Sequence, residues 1–106
     1  MNVIDWLLDS DPAIRWQVMR DLTDAPAAEV AAERARVTRE GWGAQLLALQ
    51  PANGVWGGGA YFPEWTATTP TLQWLRAFGL DPTTPEARRA VELVRANATW
   101  EYYDLP

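Results

Sequence analysis

The side chains available for chemistry in this sequence are carboxylates, hydroxyls, arginines and an unusual number of tryptophans. The chain contains seven Trp and neither His nor Cys. Its own residues therefore cannot form a zinc site with thiolate or imidazole ligands, a disulfide, a cysteine nucleophile or a histidine general base. We expect no cofactor and no metal. The aromatic rings instead suit apolar burial, and their faces can stabilise a cation.

The charge balance of the chain restricts its partners. With 14 acidic and 9 basic residues, the formal net charge is -5. This sign disfavours sequence-independent binding to a phosphate backbone, so we expect no nucleic-acid partner. No apolar run approaches the roughly 18 to 20 residues that cross a bilayer, and the start of the chain carries Asp5 where a signal peptide has a cationic leader. A cytoplasmic protein without a transmembrane segment is expected.

One segment concentrates aromatic side chains without any regular period. Residues 51–65 hold four of the seven glycines and four aromatic residues. The segment is too irregular for a helix or strand and too apolar for a disordered linker, so we predict an ordered loop packed by its own rings. These rings either form the core of a small protein or line an apolar pocket. The candidate ligand-binding residues are Tyr61, Phe62, Trp65 and, from the following helix, Trp74.

The most specific pattern is Leu46-x3-Gln50-x3-Gly54-x-Trp56, which begins in a helix and ends in the aromatic loop. A Gln at a helix end can use its amide to satisfy backbone groups that have no partner. A Gly permits the chain reversal that follows, and a Trp can return to cover the amide. We interpret these residues as a structural clamp.

Helical periodicity dominates the rest of the chain and predicts an all-α protein. A short apolar helix from Val3 to Leu8 is followed by a second helix, which Asp11 caps and Pro12 begins. In that helix Trp16 stands at the margin of a predicted apolar arc, which consists of Ile14, Val18, Met19 and Leu22. A third, alanine-rich helix is expected to run to Glu40, with Glu33 and Arg36 on a mostly solvated face.

Three further helices are predicted from capping residues and apolar stripes. The fourth covers 42–50, with a stripe of Trp42, Leu46 and Leu49. The fifth begins at Thr69-Pro70 and ends at Gly79. Its apolar face consists of Leu72, Leu75 and Phe78, and Trp74 lies off that face. The sixth follows a cap at Thr83 or Thr84, and its stripe consists of Ala87, Ala90, Val91, Val94 and Ala98.

The spacing from Leu46 to Trp56 resembles the core of the QW repeat of squalene-hopene and other terpenoid cyclases, whose relatives include protein prenyltransferases. Residues 57–80 resemble the loop and second helix of small bacterial cyclase-like proteins, and 85–100 resemble the start of a next repeat. The resemblance implies one domain, 1–106, of antiparallel helical hairpins forming an incomplete α/α-toroid. Its parts would be N-terminal helices in 1–38, a QW-like repeat in 39–84 and the start of a second repeat in 85–106.

The catalytic motifs of that superfamily are not reproduced. The cyclase acid motif is Asp-x-Asp-Asp, and the nearest segment here is Asp9-Ser10-Asp11-Pro12, with a proline in place of the third acid. We therefore interpret Asp11 as a helix cap. The aspartate-rich motif for diphosphate and the zinc ligands are also missing from the sequence. No catalytic residue is predicted, and a single repeat does not close a cavity by itself.

Two functional hypotheses follow. The first is a non-catalytic squalene cyclase-like module that self-associates and binds a hydrophobic small molecule or a protein partner. The alternative is a fragment or subunit of a terpenoid cyclase-like enzyme that acts on an isoprenoid. A second aromatic cluster near the C-terminus, Trp100, Tyr102 and Tyr103, is the candidate interface. A further copy of the chain would cover it and make a homo-oligomer.

Overall fold

All regular secondary structure in the described part of the chain is helical. The computed structural model describes residues 2–60 and 65–97. The helices are α1 (Val3–Leu8), α2 (Pro12–Leu22), α3 (Ala27–Arg36), α4 (Gly41–Ala48), α5 (Thr68–Phe78) and α6 (Pro85–Asn97), with one 3-10 turn at Trp56–Gly58. The all-α prediction is confirmed for these ranges. None of these helices is long and apolar enough to pass through a membrane.

The predicted capping residues begin two of the helices. The Asp11 side chain accepts the backbone N–H of Ala13 at 2.9 Å, and Pro12 is the first residue of α2. The Thr84 hydroxyl accepts the N–H of Ala87 at 3.3 Å at the start of α6. Each cap satisfies an amide that has no partner within its own helix, which is why these short local signals were sufficient for prediction.

The end of α5 is held by side chains from two earlier helices. The indole N–H of Trp16 in α2 donates to the carbonyl of Phe78 at 2.8 Å, and Nε of Arg34 in α3 donates to the carbonyl of Gly79 at 2.8 Å. Gly79 has a φ of 86°, and a Cβ there would lie 2.2 Å from Cζ2 of Trp16. The glycine therefore both ends α5 and allows the indole to pack on the backbone.

Trp16 is consequently a core residue. It is 8% exposed, whereas the periodicity of α2 placed it at the margin and placed Leu22 inside. Leu22 is 54% exposed. The reason is that α2 packs against α1, α3, α4 and α5, so the end of another helix, and not the period of α2 alone, decides which side chains are covered.

The main apolar cluster forms where α4, α5, α6 and the 3-10 turn meet. Trp56, Leu75 and Ala90 are its buried members. Partly buried side chains packed against them are Leu46, Leu47, Leu72, Leu80 and Val94. The cluster therefore joins the last residues of the predicted clamp to both helices that follow it.

The stripe predicted for α6 is wrong at one position. Val91 is 54% exposed, while Ala87 and Ala90 are each 2% exposed and Leu93 is half-buried. At 100° per residue, the covered arc is centred near Ala90, and Val91 falls at its edge. Ala98 lies outside the described residues. Two helix ends also differ from expectation, because α3 ends at Arg36 and α4 ends at Ala48.

Most residues of α3 are exposed, as predicted, but Glu33 is buried. Glu33 is 8% exposed and accepts Nε of Arg15 at 2.8 Å and Nη1 of Arg36 at 2.9 Å. Arg15 also donates to the carbonyl of Leu8 at the end of α1. Glu33 therefore links α3 to α2, and Arg15 extends the connection to α1. This role depends on a residue 18 positions away and is not visible in the local pattern.

Candidate functional site

An apolar groove of about 500 Å³ lies between α4 and α5 and is the candidate functional site. This volume falls in the range typical of small-molecule pockets. We call it the tryptophan groove. Its lining residues are Trp42, Gln45, Leu46, Leu49, Trp56, Trp65, Thr66, Thr71, Trp74 and Phe78.

A row of three aromatic rings forms one wall of the groove. The Phe78 ring centroid lies 5.7 Å from that of Trp42 in α4 and 6.1 Å from that of Trp74 in α5. Both pairs are tilted, at 48° and 34°, which is a favourable arrangement for ring quadrupoles. The row therefore couples the two helices and leaves ring surface facing the groove.

The exposed apolar side chains of the described ranges concentrate at this groove. Of the eight large hydrophobic residues that are exposed there, four line it: Trp42, Leu49, Trp65 and Trp74. Trp65 is 77% exposed and Leu49 is 69% exposed. Single exposed apolar residues are ordinary on a protein surface, but a contiguous group of them around a concavity is typical of a binding site.

Two of the clamp residues, Leu46 and Trp56, line the groove. Trp56 is 4% exposed, and its indole N–H donates to the carbonyl of Leu46 at 2.9 Å. Leu46 lies in the last turn of α4, and its carbonyl also accepts the backbone N–H of Leu49 at 3.2 Å. The amide Nε2 of Gln50 donates to the carbonyls of Gly54 at 3.1 Å and Ala90 at 3.0 Å.

The roles of the amide and the indole differ from the prediction that the Gln50 amide satisfies the end of α4 and that Trp56 covers this amide. The indole of Trp56 bonds the end of α4, while the amide of Gln50 holds the following turn and reaches α6. Gly54 lies at φ 81°, and a Cβ there would be 2.3 Å from Cβ of Leu93. The glycine is required both by the backbone conformation and by the close approach of α6.

The polar groups at the groove are few and mostly neutral. Among the described residues that line it, only Gln45, Thr66 and Thr71 carry polar side chains, and the Thr71 hydroxyl donates to the carbonyl of Ala67 at 2.8 Å. Asp11 lies at the first turn of α4, where Oδ2 accepts the backbone N–H of Trp42 at 2.8 Å. The described lining is therefore suited to holding apolar surface, with one or two neutral hydrogen bonds to orient it. Within the described residues no group of carboxylates is arranged to hold a metal ion.

Two of the predicted ligand-binding and interface residues lie at the groove, and the others lie outside the described part of the chain. Trp65 and Trp74 both line the groove. Tyr61 and Phe62, and the interface candidates Trp100, Tyr102 and Tyr103, lie outside the described residues.

The sequence predicts helix packing, and not a groove, for Trp42, Leu49 and Phe78. A usable signal is present in the spacings, because Leu49 follows Trp42 by two helical turns and Phe78 follows Trp74 by one, so each pair shares a helix face. Which of those faces remained uncovered depended on the tertiary arrangement.

Comparison of the chain with protein families, with curated proteins and with solved structures finds no match. The resemblance to the cyclase superfamily therefore stays a prediction from the sequence.

Proposed function

We propose that the protein is a cytoplasmic, non-catalytic helical module that binds a hydrophobic small molecule in the tryptophan groove. The observation that carries this proposal is the convergence of four exposed large apolar side chains on one groove of small-molecule size. Exposure of such side chains to water is unfavourable in free energy, and a ligand that covers them removes this cost. Covering about 200 Å² of apolar surface contributes about 5 kcal/mol before the entropy of association is subtracted.

The groove also limits the chemistry of the ligand. Its described lining presents aromatic faces and aliphatic side chains, with neutral polar groups at Gln45 and Thr66. A charged ligand would lose its hydration there without gaining an ion pair. The best-suited ligand is therefore an uncharged, largely hydrocarbon molecule with one hydroxyl or carbonyl group, such as an isoprenoid alcohol.

The proposed fold is an incomplete α/α-toroid built from antiparallel hairpins. The geometry of Gln50, Gly54 and Trp56 supports it, because these residues join the end of α4, the following turn and α6 in one hydrogen-bonded unit. A repeat unit of this kind needs neighbours to cover its outer faces. The same clamp is the support for the second candidate function, a fragment or subunit of a terpenoid cyclase-like enzyme.

Two features favour binding over cyclisation. The described lining of the groove includes no carboxylate that could protonate a substrate. Both oxygens of Asp11, the acid at the start of α4, accept backbone amides of Ala13 and Trp42. The geometry of Asp11 is therefore that of a structural cap for two helices.

We also propose that the module self-associates. Trp6 and Val3 in α1 are 65% and 70% exposed, which leaves apolar surface uncovered away from the groove. Light scattering on the full chain, compared with a variant carrying Trp100→Ala, Tyr102→Ala and Tyr103→Ala, tests this part. A dimer or larger species that the triple variant loses is expected. A monomer at all concentrations contradicts self-association without affecting the groove.

Titration with farnesol, followed by intrinsic tryptophan fluorescence, tests the binding function. We expect saturable binding that Trp74→Ala weakens about tenfold, since truncating a central aromatic contact costs more than 1 kcal/mol. Trp6→Ala is the control, because it removes another exposed tryptophan, one that does not line the groove, and it should leave the affinity unchanged. Absence of saturable binding, or equal effects of the two substitutions, contradicts the proposal. Mass spectrometry of the recovered farnesol distinguishes binding from cyclisation.

A further inference from the structure

The segment between α4 and the 3-10 turn contains an Asn-Gly pair, Asn53 and Gly54. The other two asparagines of the chain, Asn2 and Asn97, precede residues with larger side chains. Asparagine is thermally labile, because the next backbone nitrogen can attack its side-chain carbonyl carbon and expel ammonia. A following glycine hinders this attack least, since it has no side chain. The chemistry therefore singles out Asn53, which is also exposed to water.

This deamidation needs water as its only co-reactant. The backbone nitrogen of Gly54 bonds to Cγ of Asn53, the Cγ–Nδ2 bond breaks, and the departing nitrogen takes the proton of the Gly54 amide and leaves as ammonia. Water then opens the succinimide ring at one of its two carbonyls. Hydrolysis at Cγ gives aspartate. Hydrolysis at the backbone carbonyl gives isoaspartate, in which the chain runs through the side chain and is one carbon longer.

The folded turn engages both reacting groups in hydrogen bonds. The backbone N–H of Gly54 donates to the carbonyl of Pro51 at 2.8 Å, which keeps the proton on the nitrogen that must attack. Oδ1 of Asn53 accepts the backbone N–H of Val55 at 3.0 Å, which restricts rotation of the amide that must be attacked. Nε2 of Gln50 holds the carbonyl of Gly54 at 3.1 Å. The reaction therefore requires the turn to open locally.

The isoaspartate product does not fit the closed turn. Gly54 is buried, and a Cβ there would lie 2.3 Å from Cβ of Leu93, so α6 packs directly on this backbone. An extra backbone carbon displaces the glycine, and a packed contact does not absorb such a shift without loss of stability. It also moves one of the two carbonyls, those of Gly54 and Ala90, that the amide of Gln50 binds together.

We propose that Asn53 is a spontaneous modification site, which the closed clamp protects and which opening of the clamp exposes. Conversion to isoaspartate is irreversible, and the product weakens the contact between α4 and α6. The pair thus acts as a timer that accumulates the time the chain spends locally open or unfolded. This device is independent of the ligand proposed for the tryptophan groove, because neither Asn53 nor Gly54 lines that groove.

Peptide mass spectrometry of the full chain, incubated in mildly alkaline buffer, measures the conversion. Because only the open turn reacts, we expect Asn53 to convert about a hundredfold more slowly in the native protein than in guanidinium chloride. Asn97 is the internal control and should convert slowly under both conditions. Equal rates at Asn53 in the native and the denatured protein, or faster conversion at Asn97 than at Asn53 in denaturant, overturn the proposal.

Gln50→Ala tests whether the clamp provides the protection. It removes the amide that holds the Gly54 carbonyl, so Asn53 should convert about tenfold faster in native buffer. Gln45→Ala removes an exposed amide of α4 and should leave the rate unchanged. An unchanged rate in Gln50→Ala overturns the protective role of the clamp. If Gln50→Ala does not fold, the comparison of native and denatured parent protein decides the matter.

The stability of the converted protein gives a second readout. The isoaspartate form, separated by chromatography, should melt at least about 5 °C below the parent protein. Asn53→Asp adds the same charge without lengthening the backbone and keeps an acceptor for the N–H of Val55, so its Tm should fall less. An isoaspartate form as stable as the parent protein, or no less stable than Asn53→Asp, contradicts the proposed effect on α6.

Discussion

The carboxylate of Asp11 accepts the backbone N–H of Trp42, 31 residues later in the chain, at a distance of 2.8 Å. Its other oxygen accepts the N–H of Ala13 at 2.9 Å. One side chain thus caps the N-termini of α2 and α4, and its negative charge lies at the positive end of both helix dipoles. This contact also fixes the position of Trp42, so the geometry of the tryptophan groove depends on an acid outside it.

Substitutions of Asp11 should reduce stability by an amount that depends on how many of its acceptor oxygens they remove. Asp11→Asn keeps one acceptor oxygen and should lower the free energy of unfolding by about 1 kcal/mol, and Asp11→Ala should lower it by about 2 kcal/mol. Asn2→Ala removes the cap of α1, an exposed single hydrogen bond to Asp5, and should cost about 0.5 kcal/mol. Urea unfolding followed by circular dichroism measures all three. An Asp11→Ala variant no less stable than Asn2→Ala contradicts the double cap.

Substitutions of Gly54 and Gly58 should distinguish the stability cost of backbone conformation from the cost of disturbed packing. Both have positive φ, 81° and 77°, but a Cβ at Gly54 would collide with Leu93 whereas a Cβ at Gly58 meets nothing within 4 Å. Gly58→Ala should therefore cost about 1 kcal/mol, the usual penalty for a left-handed alanine. Gly54→Ala should cost about 3 kcal/mol, because α6 must also move. Thermal unfolding distinguishes the two, and equal losses would show that α6 does not pack on the turn.

Gln50 acts as a double donor, so a change to an acceptor should be costly. Gln50→Glu places a carboxylate against the carbonyls of Gly54 and Ala90, and we expect a loss of about 2 kcal/mol at neutral pH. Gln45→Glu makes the same chemical change at an exposed position in α4 and should stay within about 0.5 kcal/mol of the parent protein. Chemical denaturation of the pair is the measurement, and similar losses would rule out a specific role for the amide of Gln50.

The ion pairs of Glu33 should matter more than an exposed ion pair. Glu33→Gln keeps one acceptor oxygen but removes the buried negative charge that Arg15 and Arg36 share, and we expect a loss of about 2 kcal/mol. Glu92→Gln breaks the exposed pair with Arg95 and should change stability by less than about 0.5 kcal/mol. Urea midpoints compare the two variants. Equal midpoints would mean that the linkage of the first three helices contributes little.

Stability should fall only in acid. Hydrogen bonding to Arg36 lowers the pKa of Glu40 below 4.5, and the backbone N–H and hydroxyl of Thr83 lower the pKa of Asp81 below 3.8. Carboxylates with a lowered pKa in the folded state add stability above the unfolded pKa and lose it as the pH falls through the folded pKa. With no histidine, Tm should be nearly constant from about pH 8 to about pH 6.

The acid dependence has a direct control. Glu40→Gln and Asp81→Asn remove groups whose protonation weakens the folded state, so the double variant should lose less stability below pH 4.5 than the parent protein. Circular dichroism melts over the acid range give the comparison. A parallel fall in both proteins would assign the acid transition to other carboxylates.

Much of the helical architecture was predictable because its signals act over a few residues. Asp11 with Pro12, Thr84 and the left-handed Gly79 each satisfy or end a helix through their nearest neighbours. The all-α class follows from the same local chemistry. Likewise, the spacing of Gln50, Gly54 and Trp56 by itself predicts a turn held by side chains.

The candidate sites were decided by contacts between residues far apart in the chain. Trp16 became core because its indole reaches the end of α5, 62 residues away. Glu33 is buried because Arg15 from another helix meets it. The helical periodicity of the sequence indicates which side chains share a face, but whether that face is covered depends on how the helices pack. The sequence alone therefore determined the helices and their caps, whereas only the tertiary structure decided that Trp42, Trp65 and Trp74 line one groove.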